Sequence, residues 1–219
     1  MNSYKIEPSK IEAMSFEIIE REAGPHGWTP FQWSVVRRLV HASADFDYVR
    51  DLFISPGAVE AGVAALKEGA RIITDTNMCA TGINISRKGL LSNKVECLIE
   101  REEVKKAAAE SSLTRAMGAV DIALIETKSF GPGTIWVFGN APTALFRLLE
   151  RLSADPLLNR PRLVVGLPVG FVNALESKMA LKQSNLSYFI TNLSRKGGSN
   201  VAAAAVNALA ALAVEGQGA

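Results

Sequence analysis

Histidine and cysteine are scarce in this 219-residue chain, with two of each. His26, His41, Cys79 and Cys97 stand at no metal-ligand spacing, so the signature of a zinc or iron centre is missing. Two thiols are also too few for a disulfide framework. Long runs of like charge are absent: no basic stretch exceeds two residues, and 24 Lys+Arg nearly balance 22 Asp+Glu. That balance argues against nucleic acid or a membrane surface as a partner. Apolar stretches are short and interrupted, and the polar start MNSYKIEPSKIEAMS has no signal-peptide core. The expected location is therefore the cytoplasm. The chain also lacks a Gly-Lys-Ser/Thr phosphate loop, a G-x-G-x-x-G turn after a strand, and a nucleophile elbow. The usual nucleotide, dinucleotide and hydrolase templates fail.

What is present is material for a core. Apolar residues make up 48% of the chain and mean hydropathy is +0.14, which excludes global disorder. The length suits one domain over 1–219. The second half repeats a strand–turn–helix pattern three times. TIWVFG (134–139) leads through NAP to TALFRLLERL, RLVVGLP (162–168) leads to NALESKMALK, and SYFITNL (187–193) leads through SRKGGSN to VAAAAVNALAALAV. ARIITDT (70–76) and VECLIE (95–100) read as further strands, with a helix over PGAVEAGVAALKEG before the first of them. Short apolar strands alternating with helices predict a three-layer α/β/α fold with a mostly parallel central sheet and a helix-rich N-terminal part. The Gly/Pro-rich loop at 127–133 is too short for an interdomain linker.

The helix carrying His41 is well specified. Thr29-Pro30-Phe31-Gln32 matches a capping box, with proline at the first helical position, and Trp28 and Trp33 occupy the two positions of a hydrophobic staple. Phe31, Val35, Val36, Leu39 and Val40 give the apolar stripe. His41 then falls in the last turn, three residues after Arg38, where the helix end and the carboxylates of Asp45 and Asp47 favour an imidazolium. From local features alone a capping histidine remains the plainer reading. The turns GNAPT, GLPVGF and RKGGSN follow strands and offer N–H groups to anions. The residues by themselves point to a binder of a small polyanionic ligand, with room for acid–base chemistry.

Longer stretches carry a resemblance. FGNAPTALFRLLE (138–150), VVGLPVGFVNALESKMAL (164–181), SRKGGSNVAAAAVNALA (194–210), RRLVHASADFDYV (37–49), ITDTNMCATGIN (73–84) and LTRAMGAVDIALIE (113–126) resemble the precorrin-8X methylmutase family. The likeness runs from MSFEII (14–19) nearly to the C-terminus. TDTNM, TRAMGAVDIA and RKGGSNVAAA look more like the branch whose substrate is cobalt-precorrin-8. The resemblance implies an isomerase of corrin (cobalamin) biosynthesis, moving a methyl group from carbon 11 to carbon 12 of the macrocycle to give cobyrinate or hydrogenobyrinate. It implies no dissociable cofactor and no protein-bound metal, a tetrapyrrole substrate rich in carboxylate arms, and a homodimer.

Residue by residue, the resemblance makes His41 the proton donor and gives substrate-binding roles to Ser15, Arg38, Thr81, Gly82, Arg115, Lys196, Gly197, Gly198 and Ser199. Each has a plainer alternative: an N-cap for Ser15, solvated helix charges for Arg38 and Arg115, and turn chemistry for the rest. His26 is expected in a loop and Cys79 as a small buried thiol. A corrinoid carrier without chemistry is the rival function, and a phosphate- or nucleotide-binding protein a weaker third. Retention of a titratable His41 favours the enzyme over the carrier.

Overall fold

A computed structural model describes residues 7–85, 91–128, 131 and 133–215. Helices α1 (Pro8–Ala23), α2 (Pro30–Ser43) and the short α3 (Tyr48–Asp51) precede strand β1 (Leu52–Ile54). Then come α4 (Ala58–Lys67), β2 (Arg71–Thr74), α5 (Asn77–Gly82), β3 (Val95–Cys97), α6 (Glu102–Glu110) and α7 (Arg115–Thr127). The chain closes with β4 (Thr134–Phe138), α8 (Pro142–Ala154), β5 (Leu163–Gly166), α9 (Ala174–Gln183), β6 (Phe189–Asn192) and α10 (Ser199–Glu215). The six strands form one sheet in the order β1-β6-β5-β4-β2-β3. All neighbours are parallel except β1, which pairs antiparallel with β6 at one edge.

The strands are apolar on both faces because both faces are covered. Ile72, Ile135, Val137, Leu163, Val165 and Ile190 belong to one core cluster, with α2, α4, α5 and α10. Their alternate neighbours Ile73, Trp136, Phe138, Val164 and Phe189 belong to the other, with α6 to α9. This is the expected three-layer arrangement with a mostly parallel sheet. The alanine-rich α10 is buried along nearly its whole length and packs on α2, α4 and α5. Small side chains let these helices approach closely: a Cβ on Gly82 would lie 2.9 Å from the Ala203 methyl.

One strand was not foreseen, and two expectations need correction. β1 is an edge strand that the three apolar residues LFI, without turn signals of their own, did not announce. The strand foreseen over 95–100 ends at Cys97, after which Leu98 accepts a turn hydrogen bond from Arg101. Phe31 is 58% exposed, and Trp33 takes its place in the buried stripe of α2 with Val35, Val36, Leu39 and Val40. Trp33 points inward because its indole N–H finds Glu20 on α1 at 2.7 Å, while the loop residue His26 stacks on its ring. The capping box itself is present, with Thr29 and Gln32 bonding each other's backbone N–H. The loop over 127–133 lies partly outside the described residues.

Candidate active site at the carboxyl ends of the strands

His41 sits half-buried in the last turn of α2, and its ring is held by α1. Ser15 Oγ lies 2.8 Å from His41 Nδ1, and the Phe16 ring meets the imidazole edge-on with centroids 5.3 Å apart. Ser15 is in the middle of α1, so the N-cap alternative falls. The guanidinium groups of Arg37 and Arg38 lie over the Phe16 ring, at 4.3 and 4.8 Å from its centroid. Among the described residues, His41 Nε2 has no hydrogen-bond partner. The pairing fixes one ring nitrogen and leaves the other for a ligand.

The carboxylates beyond the helix do not turn to His41. Asp45 and Asp47 both accept from the Lys196 ammonium, Asp45 at 2.6 Å. Hydrogen bonds from Lys196 and then Arg50 hold Asp47 below the usual carboxylate range, and the two aspartates push Lys196 above the usual lysine range. Arg38 is likewise committed, to Glu12 on α1. Arg38 and Lys196, two of the three cations expected to meet the substrate, are thus paired within the chain, and the third, Arg115, is paired elsewhere with Glu100. A ligand carboxylate would have to exchange with Glu12, Asp45 or Asp47.

Arg38 and Glu12 line a cavity of about 220 Å³ with Asn84, Ile85, Asn207 and the C-terminal half of α10. Asn207 ties its rim to α5, donating to the Gly82 carbonyl at 2.9 Å and accepting from Asn84 N–H at 2.7 Å. Thr81 and Gly82 end α5 beside it and are exposed. Gly82 also has a packing reason to lack a side chain, given its closeness to Ala203.

Ser199 starts α10, and its Oγ lies 2.8 Å from Thr76 Oγ1. Asn200 Nδ2 reaches the Ala42 carbonyl at 3.4 Å, joining the start of α10 to the end of α2. The two glycines before it are required by the backbone. A Cβ on Gly197 would lie 2.2 Å from the Leu167 carbonyl oxygen, and Gly198 has φ +135° and donates its N–H to that same oxygen at 3.0 Å.

Of the three anion-binding turns foreseen, the first is already filled. The Asp75 carboxylate, just beyond β2, accepts from the amides of Gly139, Asn140 and Ala141 at 2.7–3.1 Å. Burial pushes this carboxyl up while the three amides pull it down, and burial is the larger effect. In the second turn Leu167, Val169 and Gly170 donate to the carbonyls of Phe138, Gly139 and Arg195. Among the described residues, the first amides of α9, whose N-cap Asn173 makes no side-chain cap bond, and of α10 have no such partner. Of these, the N-terminus of α10 lies in the third turn, beside Lys196.

Arg115, the first residue of α7, lies on the other face of the sheet. It pairs with Glu100 at 3.2 Å and shares no hydrogen bond or ion pair with the His41 group. Sequence reasoning missed Phe16, Asp75 and Glu12. Asp75 had a legible signal, a lone carboxylate at the carboxyl end of an apolar strand. Cys79 is fully buried as expected, and burial raises its thiol above the ordinary value.

A mostly parallel α/β sheet with a polar site outside the carboxyl ends of its strands is the arrangement of ligand-binding α/β proteins. The precorrin-8X methylmutase family model matches residues 10–212. The chain is 43% identical over 211 residues to a cobalt-precorrin-8 methylmutase of Salmonella typhimurium, covering 94% of this chain and 96% of that one. It is 41% identical over 212 residues to a precorrin-8X methylmutase of Pseudomonas aeruginosa, covering 96% and 98%. The crystal structure of the precorrin-8X methylmutase from Thermus thermophilus superimposes with a TM-score of 0.84 at 44% identity, covering 94% of this chain and 98% of that one. This chain belongs to the precorrin-8X methylmutase family, and is an isomerase.

Proposed function

We propose that this protein moves a methyl group from carbon 11 to carbon 12 of precorrin-8 or its cobalt form, giving hydrogenobyrinate or cobyrinate in cobalamin biosynthesis, with His41 as proton donor. The observation that carries the reading is the Ser15–His41 bond. In the imidazolium, Nδ1–H donates to Ser15 Oγ, and Nε2–H is the proton available to the macrocycle. After transfer the ring is the Nδ1–H tautomer, which the same bond retains. Protonation withdraws electrons from the ring and eases migration of the methyl group. The proton then returns to His41, so substrate and product are isomers and no co-reactant is consumed.

The neighbouring groups suit a large polycarboxylate. A 220 Å³ cavity is smaller than the ~300–1,000 Å³ of a whole small-molecule site, so it has room for an acid arm and not for the ring. Arg38 at its wall, Lys196 and the start of α10 at Ser199 would take carboxylates, with Thr81 and Gly82 beside them. Each carboxylate at a helix N-terminus contributes about 0.3–1 kcal/mol when exposed and up to ~2 kcal/mol when partly buried. Phe171, 85% exposed on the loop after β5 with Arg195 over its ring, offers an apolar surface at the same edge. We assign that surface to contact with a second copy, in the homodimer the family resemblance implies. The cobalt branch is favoured by TDTNM and RKGGSNVAAA, although the identities to cobalt-named and metal-free-named relatives are close.

The test is to incubate purified, chelator-treated protein with precorrin-8 or cobalt-precorrin-8 alone and follow the absorption spectrum. Conversion to the hydrogenobyrinate or cobyrinate spectrum is expected. Binding without conversion would make the protein a corrinoid carrier, and conversion only after adding S-adenosylmethionine or a nicotinamide would refute the mutase reading.

A further inference from the structure

Lys178, in the middle of α9, is wholly buried, yet among the described residues it forms no ion pair. An ammonium in such a place is costly, and an apolar side chain would fill it at less expense. What the lysine provides is a grip on one loop. Its Nζ donates to the Lys196 carbonyl at 2.7 Å and to Asn192 Oδ1 at 3.0 Å. Asn192, on β6, turns its own Nδ2 to the same Lys196 carbonyl at 3.0 Å and to Ser194 Oγ at 2.8 Å. The main chain at Lys196 is therefore clamped from α9 and β6 together. On the other side of that clamp, the Lys196 side chain reaches Asp45 and Asp47 beyond α2, and Gly197-Gly198 lead into α10.

We propose that Lys178 is a positioning residue for the tetrapyrrole site: it fixes the backbone of the 194–198 loop so that Lys196 and the N-terminus of α10 are presented to the substrate's carboxylates. This rests on the function proposed above. Burial lowers the Lys178 ammonium to about 8, with the Asp51 charge opposing, so near neutral pH it remains the charged, stronger donor.

The test compares wild type, Lys178→Met and Lys178→Gln at pH 7 by melting temperature, hydrogen exchange at the two bonded amides that hold the 194–198 loop (Gly198 N–H, and Gly170 N–H on the Arg195 carbonyl), and affinity for hydrogenobyrinate. In Lys178→Met, removing an unpaired buried charge offsets the orphaned Asn192 oxygen, so the melting temperature should stay within a few degrees of wild type. Exchange in the loop should quicken by about 10- to 100-fold, the loss of one charge-assisted bond, and affinity should fall by about tenfold or more. Unchanged loop exchange overturns the proposal. So does a loss of affinity that merely tracks a loss of melting temperature, with exchange quickened throughout the chain. If Lys178→Met does not fold, the same readings are taken on Lys178→Gln, which keeps an N–H donor but ends short of the Lys196 carbonyl. Failure of hydrogenobyrinate to bind wild type would refute the function instead, while loop exchange would still decide whether Lys178 holds the loop.

Discussion

Ser15 and His41 are 26 residues apart in the chain and 2.8 Å apart in the fold. The serine's contribution is orientation, and it can be removed with little change in volume. Ser15→Ala should lower the single-turnover rate by about 10- to 100-fold, the loss of one hydrogen bond to a charged group, with a small change in melting temperature. Stopped-flow absorbance and a thermal melt on the same preparation check this, and equal rates in the two proteins would show that the bond is idle. Both residues could be picked out in the sequence through the resemblance, but the bond between them could not. It depends on how α1 crosses α2, which is set by Trp33 reaching Glu20 and by Arg37 and Arg38 lying on Phe16. The same packing pairs Arg38 with Glu12, a partner that no local pattern in RRLVH contains.

At the level of elements, strand–turn–helix punctuation made the second half legible, because each buried strand is short, continuous and followed by turn residues. The capping box of α2 was equally readable, since its bonds lie within four residues. What the sequence hid is which turn amides are occupied. GNAP looked open to an anion, and it holds one of the protein's own in Asp75, 64 to 66 residues earlier. Asp75 ties the end of β2 to the turn between β4 and α8, and Gly139 there is packed directly against Ser199: a Cβ on it would lie 2.6 Å from the Ser199 Cα. Asp75→Asn would set an amide NH₂ against at least one backbone N–H in a buried place. It should destabilise the protein by about 2–4 kcal/mol, read as the midpoint shift in urea unfolding at constant slope. A shift under about 0.5 kcal/mol would mean that the turn holds itself.

For the whole molecule, the unpaired ammonium of Lys178 gives the stability curve a recognisable shape. Its folded-state value is about 8 against 10.5 for the ordinary side chain, so between those two values the unfolded chain binds more protons than the folded one. Stability of wild type relative to Lys178→Met should therefore rise as pH increases from about 8 toward 10.5, and be flat below about 7. Urea unfolding of both proteins across that range isolates the effect from other titrating groups. A difference curve that falls with pH would contradict it. Nothing in ALESKMALK distinguished this lysine from a solvated one, because its burial is decided by β6 and by the loop that crosses it.

The central claim is that His41 gives a proton to the macrocycle, and the most direct measurement is the single-turnover rate of His41→Asn with precorrin-8, taken beside ligand affinity and melting temperature. General acid catalysis contributes about 10²–10⁴-fold. Asparagine keeps a hydrogen-bond donor at the end of α2 but cannot deliver a proton near neutral pH. The predicted result is a rate lower by about two to four orders of magnitude, with the tetrapyrrole still bound and the fold intact. A rate close to wild type would show that His41 is a helix cap and not the acid.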